Sequence, residues 1–175
     1  MIITTQRLQL RRPVLSDAQQ ILDSYASDTK VTRYLSWPRH TGLADTQAFI
    51  AFSDQEWETW QIGPLLVELI DSKKIIGSTG LSLETPYRAS TGYVFGQDFW
   101  GQGFAAEALT AVMDIAHSMN LWRVSALCHW EHINSAKVLE KCAFTLEASL
   151  RRHTVFPNLH AGEPQDVLLY TRVLR

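Results

Sequence analysis

The stretch Phe99 to Leu109, FWGQGFAAEAL, constrains this chain more than any other part of it. Two glycines, Gly101 and Gly103, run directly into a row of apolar residues, Phe104, Ala108, Leu109, Val112, Ile115, Ala116 and Met119. Their spacing is that of one face of a helix of about four turns, with Glu107, Thr110, Asp114 and His117 on the opposite side. TGYVF (91–95) reads as a strand that ends four residues before the stretch. A helix start exposes about four unpaired N–H groups and the positive end of a dipole. Bare glycine backbone in front of it lets a phosphate approach those donors. The bland alternative is a tight strand-to-helix turn with no ligand.

Several phosphate-binding schemes use such a turn. The P-loop pattern GxxxxGK[ST] does not occur in the chain. Gly101-x-Gly103-x-x-Ala106 does match the dinucleotide pattern GxGxxA, which keeps a nicotinamide- or flavin-dependent oxidoreductase open. Against it, QDFW separates the motif from its strand, and the nearest acid at a strand end is Glu131 rather than one about 20 residues on. A start at Gly101 of 175 residues also leaves no room for a full doubly wound sheet.

The rest of the chain narrows the class. At 175 residues and 46% hydrophobic it suits one domain, residues 1–175, and no linker or repeat divides it. A net charge of −2, from 16 basic and 18 acidic residues without a basic run, argues against extended binding to nucleic acid or to an anionic membrane. The opening MIITTQRLQLRRP carries Arg7, Arg11 and Arg12 and no long apolar core, so a cytoplasmic enzyme is expected. Cys128 and Cys142 lack metal or redox spacing and read as buried thiols, and no metal site is expected. RLQLR reads as a strand, Ser16 as the cap of a helix through about Tyr25 with Asp17 near its positive end, and the segment from Thr41 toward Trp57 as a second helix. GPLLVELI and KIIGSTGLSLE form a hairpin turned at Asp71-Ser72-Lys73; VSALCH is a strand, SAKVLEKC a short helix, and FTLEASL and VLLYTRV are strands. The mixture is α+β or mixed α/β.

Three separated segments carry a family resemblance. TTQRLQLRRPVLSDAQQI, GYVFGQDFWGQGFAAEAL and INSAKVLEKCAFTLEASLR together resemble the GNAT N-acetyltransferases, in the branch that acetylates N-termini of ribosomal proteins. The resemblance implies a GNAT fold: an α+β domain with a mixed, mostly antiparallel sheet of six or seven strands and helices on both faces. That sheet is splayed at its centre, between Tyr93–Phe95 and Val124–Cys128. It implies acetyl-coenzyme A as co-substrate, with the backbone of Gly101, Gln102, Gly103, Phe104, Ala105 and Ala106 on the pyrophosphate. Tyr93, Val94 and Phe95 would pair with the pantetheine amides, and an N–H near Phe95 or Gly96 would receive the thioester carbonyl. In the family pattern NxxSxxVxEKxGF, His132 replaces the Asn, with Asn134 nearby but out of register. Lys137 and Lys141, four apart on one helix face, would meet the phosphate-rich end or simply form a solvated face. Ala143 replaces the Gly, so that turn is expected to avoid positive φ.

The tyrosine that relatives use to protonate the departing thiolate falls on Leu139, which leaves Ser135 as substitute acid, or as a serine bonded to its own backbone. For the base the candidates are Glu84 and His129, with Glu68 and Glu131 beside them, or a water relay. Trp37, Trp57, Trp60, Phe99, Trp100 and Phe156 are expected to divide between packing and the wall of an acceptor cleft. Transfer would be direct in a ternary complex, since neither cysteine has an activating base. The acceptor would be a protein N-terminal α-amine or a small-molecule amine. A homodimer and a non-catalytic acyl-coenzyme A sensor stay open.

Overall fold

A computed structural model describes residues 2–175. Eight strands form one sheet: β1 (Ile2–Thr4), β2 (Leu8–Arg11), β3 (Pro64–Leu69), β4 (Ile75–Thr85), β5 (Arg88–Phe95), β6 (Arg123–His129), β7 (Thr145–Val155) and β8 (Pro164–Val173). Their order is β1-β2-β3-β4-β5-β6-β8-β7, and every neighbouring pair is antiparallel except β5–β6. The count exceeds the expected six or seven. Ile2–Thr4 adds an edge strand too short to show alternation, paired with Gln9–Arg11.

The helices are α1 (Ala18–Ile21), α2 (Leu43–Trp60), α3 (Phe104–Ser118) and α4 (Ile133–Lys141). They lie on both faces because strands through the middle of the sheet are apolar on both sides. Leu65, Val67, Ile76, Phe95, Val124 and Ala126 face α3 and Leu139 of α4. Leu66, Ile75 and Val94 face Ala18, Ile21, Tyr25 and Ile50. Consecutive side chains of a strand point to opposite faces, so β3 and β4 feed both cores at once.

Two local expectations are corrected. Ser16 is exposed and does not cap the first helix. The chain enters through a 3-10 turn, Leu15–Asp17, where Asp17 Oδ2 accepts the Val14 N–H at 2.8 Å while Arg11 grips both carboxylate oxygens at 2.8 and 2.9 Å. Asp17 takes the capping role because Arg11 compensates the burial of its charge. After Ile21 the helix widens into a π turn, Leu22–Ala26, closed by Ser27 N–H on Leu22 O at 3.2 Å.

Ala143 is the second correction, for its φ is +62°. Phe144 N–H donates to Leu139 O and Ala143 N–H to Glu140 O, both at 3.0 Å, the paired closure that ends a helix through a left-handed residue. Phe144, 2% exposed, packs with Leu139 and pulls the chain into that closure. The left-handed region disfavours any residue with a Cβ by about 1–2 kcal/mol. Ala143→Gly is therefore expected to stabilise the fold by about 1 kcal/mol, raising the thermal midpoint by roughly 2–4 °C. An unchanged or lower midpoint in calorimetry contradicts it.

Candidate functional site

The site begins where two parallel strands part. β5 and β6 stay in register only from Arg88↔Arg123 to Ser90↔Ser125, and beyond that point they diverge. The phase of the neighbouring ladders decides which backbone groups face the gap. Gly96 N–H donates to Ile76 O at 2.9 Å, so by antiparallel alternation Gly92 and Val94 turn their main chain to β4. Tyr93 and Phe95 then turn theirs toward the gap. Val94, expected beside them, has its main chain engaged with β4 and its side chain in the opposite core. On the other wall, Leu174 N–H on Trp122 O sets Ala126 and Cys128 toward β8, which leaves Leu127 and His129 facing β5.

The gap opens toward the glycine turn. Trp100 Nε1 donates to Phe95 O at 2.7 Å and fixes the end of that edge. Gly101 (φ +74°) and Gly103 (φ +81°) are both left-handed, and Gly103 caps α3. A Cβ on Gly101 would meet nothing within 4 Å, and one on Gly103 only Arg7 Nη2 at 3.6 Å. Gln102 folds back, its Nε2 on Asp98 O at 2.7 Å. The first intrahelical N–H bond is Glu107 to Gly103 O at 3.1 Å, so the N–H groups of Phe104, Ala105 and Ala106 have no intrahelical acceptor. The turn is bare, as an approaching diphosphate requires.

Tyr93 joins this edge to α4. Its hydroxyl lies 2.9 Å from both Ser135 O and Ser135 Oγ, so the phenol donates to the carbonyl and accepts the serine proton. Burial pushes the Tyr93 phenol well above its ordinary range and outweighs the Ser135 hydrogen bond, keeping it neutral. Leu139 is buried in the core one turn on. Asn134, Lys137 and Lys141 lie on the exposed side of α4.

On the other face, the sequence gives no signal for the residue that organises the wall. Tyr34, in the loop between the π turn and α2, stacks on His129 and on His132 with ring centroids 4.8 Å apart in each case. Phe156 meets His129 edge-on at 5.0 Å. Asn158 ties the two loops that carry these rings, donating to Thr32 O and Trp37 O at 2.8 and 2.9 Å and accepting Arg39 N–H at 2.8 Å. His129 is 1% exposed, and its Nδ1 accepts the Glu131 N–H at 3.2 Å. The neutral ring therefore carries its proton on Nε2, which has no partner among the described residues.

Burial lowers the pKa of His40, His129 and His132, against opposing carboxylates at Asp45 for His40 and Glu131 for His129. A histidine whose folded pKa lies below its unfolded value binds protons more readily when unfolded. Its contribution is complete above about pH 6.5 and is lost as the pH falls below that. The thermal midpoint is expected to fall between pH 7 and pH 5.5 at constant ionic strength; a flat profile contradicts these shifts.

The remaining sequence candidates are dispersed. Glu84 pairs with Arg88 at 2.7 Å at the closed end of the wedge, seven residues along β4 from Gly77, the partner of Phe95, and thus roughly 20 Å from the open end. Glu68 is buried and held by Arg11 at 2.9 Å. Glu131 is exposed between β6 and α4. Cys128 is pushed up to about 11 by burial, with Glu140 adding, and Cys142 is also raised by burial, so both remain thiols. Among the expected aromatic liners, Trp37 and Phe156 stand by the histidines and Phe99 and Trp100 at the turn. Trp57 packs under β3, its Nε1 on Pro64 O at 2.9 Å, and Trp60 lies exposed at the end of α2. A cavity of about 610 Å³ between β1 and α3 is lined by Ile3, Thr4, Asp114 and Ser118 and has no part in the wedge. No described helix is long and apolar enough to cross a membrane, and no three metal-binding side chains converge among the described residues.

An open sheet with a wedge of unpaired main chain, ending at a bare helix start, suits a long substrate with a diphosphate at one end and amides along its arm. It does not suit a dinucleotide in a doubly wound sheet, because among the described residues only β5–β6 is parallel. The sequence profile of the acetyltransferase (GNAT) domain matches residues 7–145. The uncharacterized N-acetyltransferase p20 of Bacillus licheniformis is 31% identical over 150 residues, 84% of each chain. The Salmonella typhimurium acetyltransferase described as modifying the N-terminal serine of ribosomal protein L7/L12 superposes with a TM-score of 0.84 at 21% identity, over 100% of each chain. The microcin C7 self-immunity acetyltransferase MccE, solved with acetyl-CoA and AMP, superposes at 0.86 with 20% identity, over 97% of this chain and 94% of that one. The chain belongs to the GNAT acetyltransferases, and it is an N-acetyltransferase.

Proposed function

We propose that the protein moves the acetyl group of acetyl-coenzyme A directly to a protein N-terminal α-amine of the ribosomal-protein type, in the cytoplasm. The observation that carries this reading is the alignment of the β5–β6 wedge with the bare Gly101–Gly103 turn. The structural likeness to an enzyme described as modifying a ribosomal-protein N-terminus supports the acceptor class.

The main-chain amides from Gly101 to Ala106 receive the pyrophosphate, and Asn134 and Lys137, both exposed on α4, are its side-chain candidates. Phe95, next to the turn, pairs with the pantetheine amides as an added strand would. Gly96 N–H is engaged by Ile76 O, so of the wedge-facing donors the Tyr93 N–H, deeper from the turn, is the one for the thioester carbonyl. A neutral amine attacks that carbonyl carbon, the C–S bond breaks, and the Ser135 hydroxyl turns its proton from the Tyr93 oxygen to the departing sulfur, the serine regaining a proton from water. His132 is turned to Tyr34 and, with His129, walls the acceptor side. His129 holds its proton at Nε2, so water rather than this ring carries the amine proton away.

The test incubates the protein with acetyl-coenzyme A and a panel of peptides, ribosomal proteins, polyamines and amino acids, with masses as readout. A single product acetylated at its N-terminus is expected. Product from polyamines or amino acids alone would overturn the N-terminal acceptor. Ser135→Ala is expected to lower kcat about tenfold with little change in KM for acetyl-coenzyme A.

A further inference from the structure

Arg7, just before β2, lies against the glycine turn although 95 residues separate it from Gln102. Its Nε and Nη2 both reach Glu107 Oε2 at 2.7 Å, and its own main-chain N–H reaches Oε1 at 2.9 Å. Thr5 Oγ1 donates to the same Oε1 at 2.5 Å. Arg7 Nη1 donates to Gln102 O at 3.0 Å, and the guanidinium lies 4.2 Å over the ring of Phe104. The side chain is 42% exposed, so core packing does not explain this set of bonds.

Two consequences follow from elementary geometry and charge. In a trans peptide the C=O and the next N–H point in opposite directions. Holding Gln102 O toward Arg7 therefore aims Gly103 N–H away from Arg7, out of the turn. Gly103 has no side chain to lock that peptide, so without the guanidinium it is free to flip. Glu107, in the first turn of α3, also places a negative charge within one turn of the bare N–H groups that a diphosphate would meet. Burial alone would raise this carboxyl, but the bonds from Thr5 and Arg7 outweigh it and keep it ionised. Arg7 neutralises that charge.

We propose that Arg7 is a positioning residue for coenzyme binding, fixing the Gln102–Gly103 peptide with its N–H toward the diphosphate and masking Glu107. The proposal rests on the acetyltransferase reading above. Its test uses the full chain, with coenzyme A affinity by calorimetry and steady-state kinetics on the N-terminally acetylated product. Arg7→Met keeps an apolar stem over Phe104 and removes the fork. Coenzyme A Kd and acetyl-coenzyme A KM are expected to rise about tenfold, the scale of losing a charged hydrogen bond. The kcat and the acceptor KM should stay within about twofold. Arg7→Lys reaches only one partner and is expected to lose most of the same affinity, which carries the test should the methionine variant fail to fold. Arg12→Met, which removes the pair with Asp54 away from the turn, should bind coenzyme A as the parent does. In Arg7→Met/Glu107→Gln the repelling charge is gone but the peptide is still unheld, so binding should remain at least about threefold weaker than in the parent. Unchanged coenzyme affinity in Arg7→Met, a loss confined to kcat, or full restoration in the double variant would overturn the proposal. A parent protein that binds no coenzyme A would overturn the acetyltransferase reading along with it.

Discussion

A peptide with a free N-terminus is expected to be acetylated at least about a hundredfold faster at pH 7 than the same peptide blocked there and offering only a lysine. The reason lies in the acceptor's protonation, because among the described residues Glu84, Glu68 and His129 supply no free base to the wedge. Glu84 is at the closed end, Glu68 is bound by Arg11, and His129 keeps its lone pair on the Glu131 amide. Only the neutral amine can attack. An α-amine with a pKa near 8 is about one-tenth neutral at pH 7, whereas a lysine near 10.4 is neutral in about one molecule in 2,500. With water alone to carry the proton, that ratio passes into kcat/KM. The rate on the α-amine should also climb with pH up to about 8 and then level. Mass-resolved initial rates on the two peptides decide the matter, and equal rates would mean a base that the present geometry does not contain.

Gly101→Val is expected to weaken coenzyme A binding by about a hundredfold or more, near 3 kcal/mol. Two costs add. At φ +74° a branched residue is strained by about 1–2 kcal/mol or more. Its side chain also enters the open space outside the turn, where a Cβ now meets nothing within 4 Å. That same openness means the apoprotein should fold, with a thermal midpoint lower by only a few degrees. Gly162→Val shares the positive φ and the empty surroundings but lies in the loop before β8, so it reports the backbone cost alone. It is expected to lose similar stability and keep coenzyme affinity. Coenzyme binding by Gly101→Val at the parent's strength would remove the diphosphate from this turn.

Much of the frame could be read from local pattern. The apolar row from Phe104 to Met119 became α3, the polar turn at Asp71–Lys73 joined β3 to β4, and the glycines proved to be left-handed. Where the reading missed, a contact made only in the folded chain decided. Asp17 displaced Ser16 as cap because Arg11 reached it, and Ala143 took a positive φ because buried Phe144 and Leu139 closed the end of α4 through it. Nothing in the composition of the loop after the π turn marks Tyr34, whose part depends on the two imidazoles from β6 and the start of α4 that meet it.

Hydrophobic period and turn chemistry act between residues a few positions apart, so the sequence alone determined most of the elements, the bare turn and the family. Which amides face the wedge, which histidine nitrogen holds the proton, and how Arg7 meets Glu107 across 100 residues depend on ladder register and on packing between segments far apart in the chain. A shift of one residue in register would turn Val94 rather than Tyr93 and Phe95 toward the gap, and only the assembled sheet sets that register.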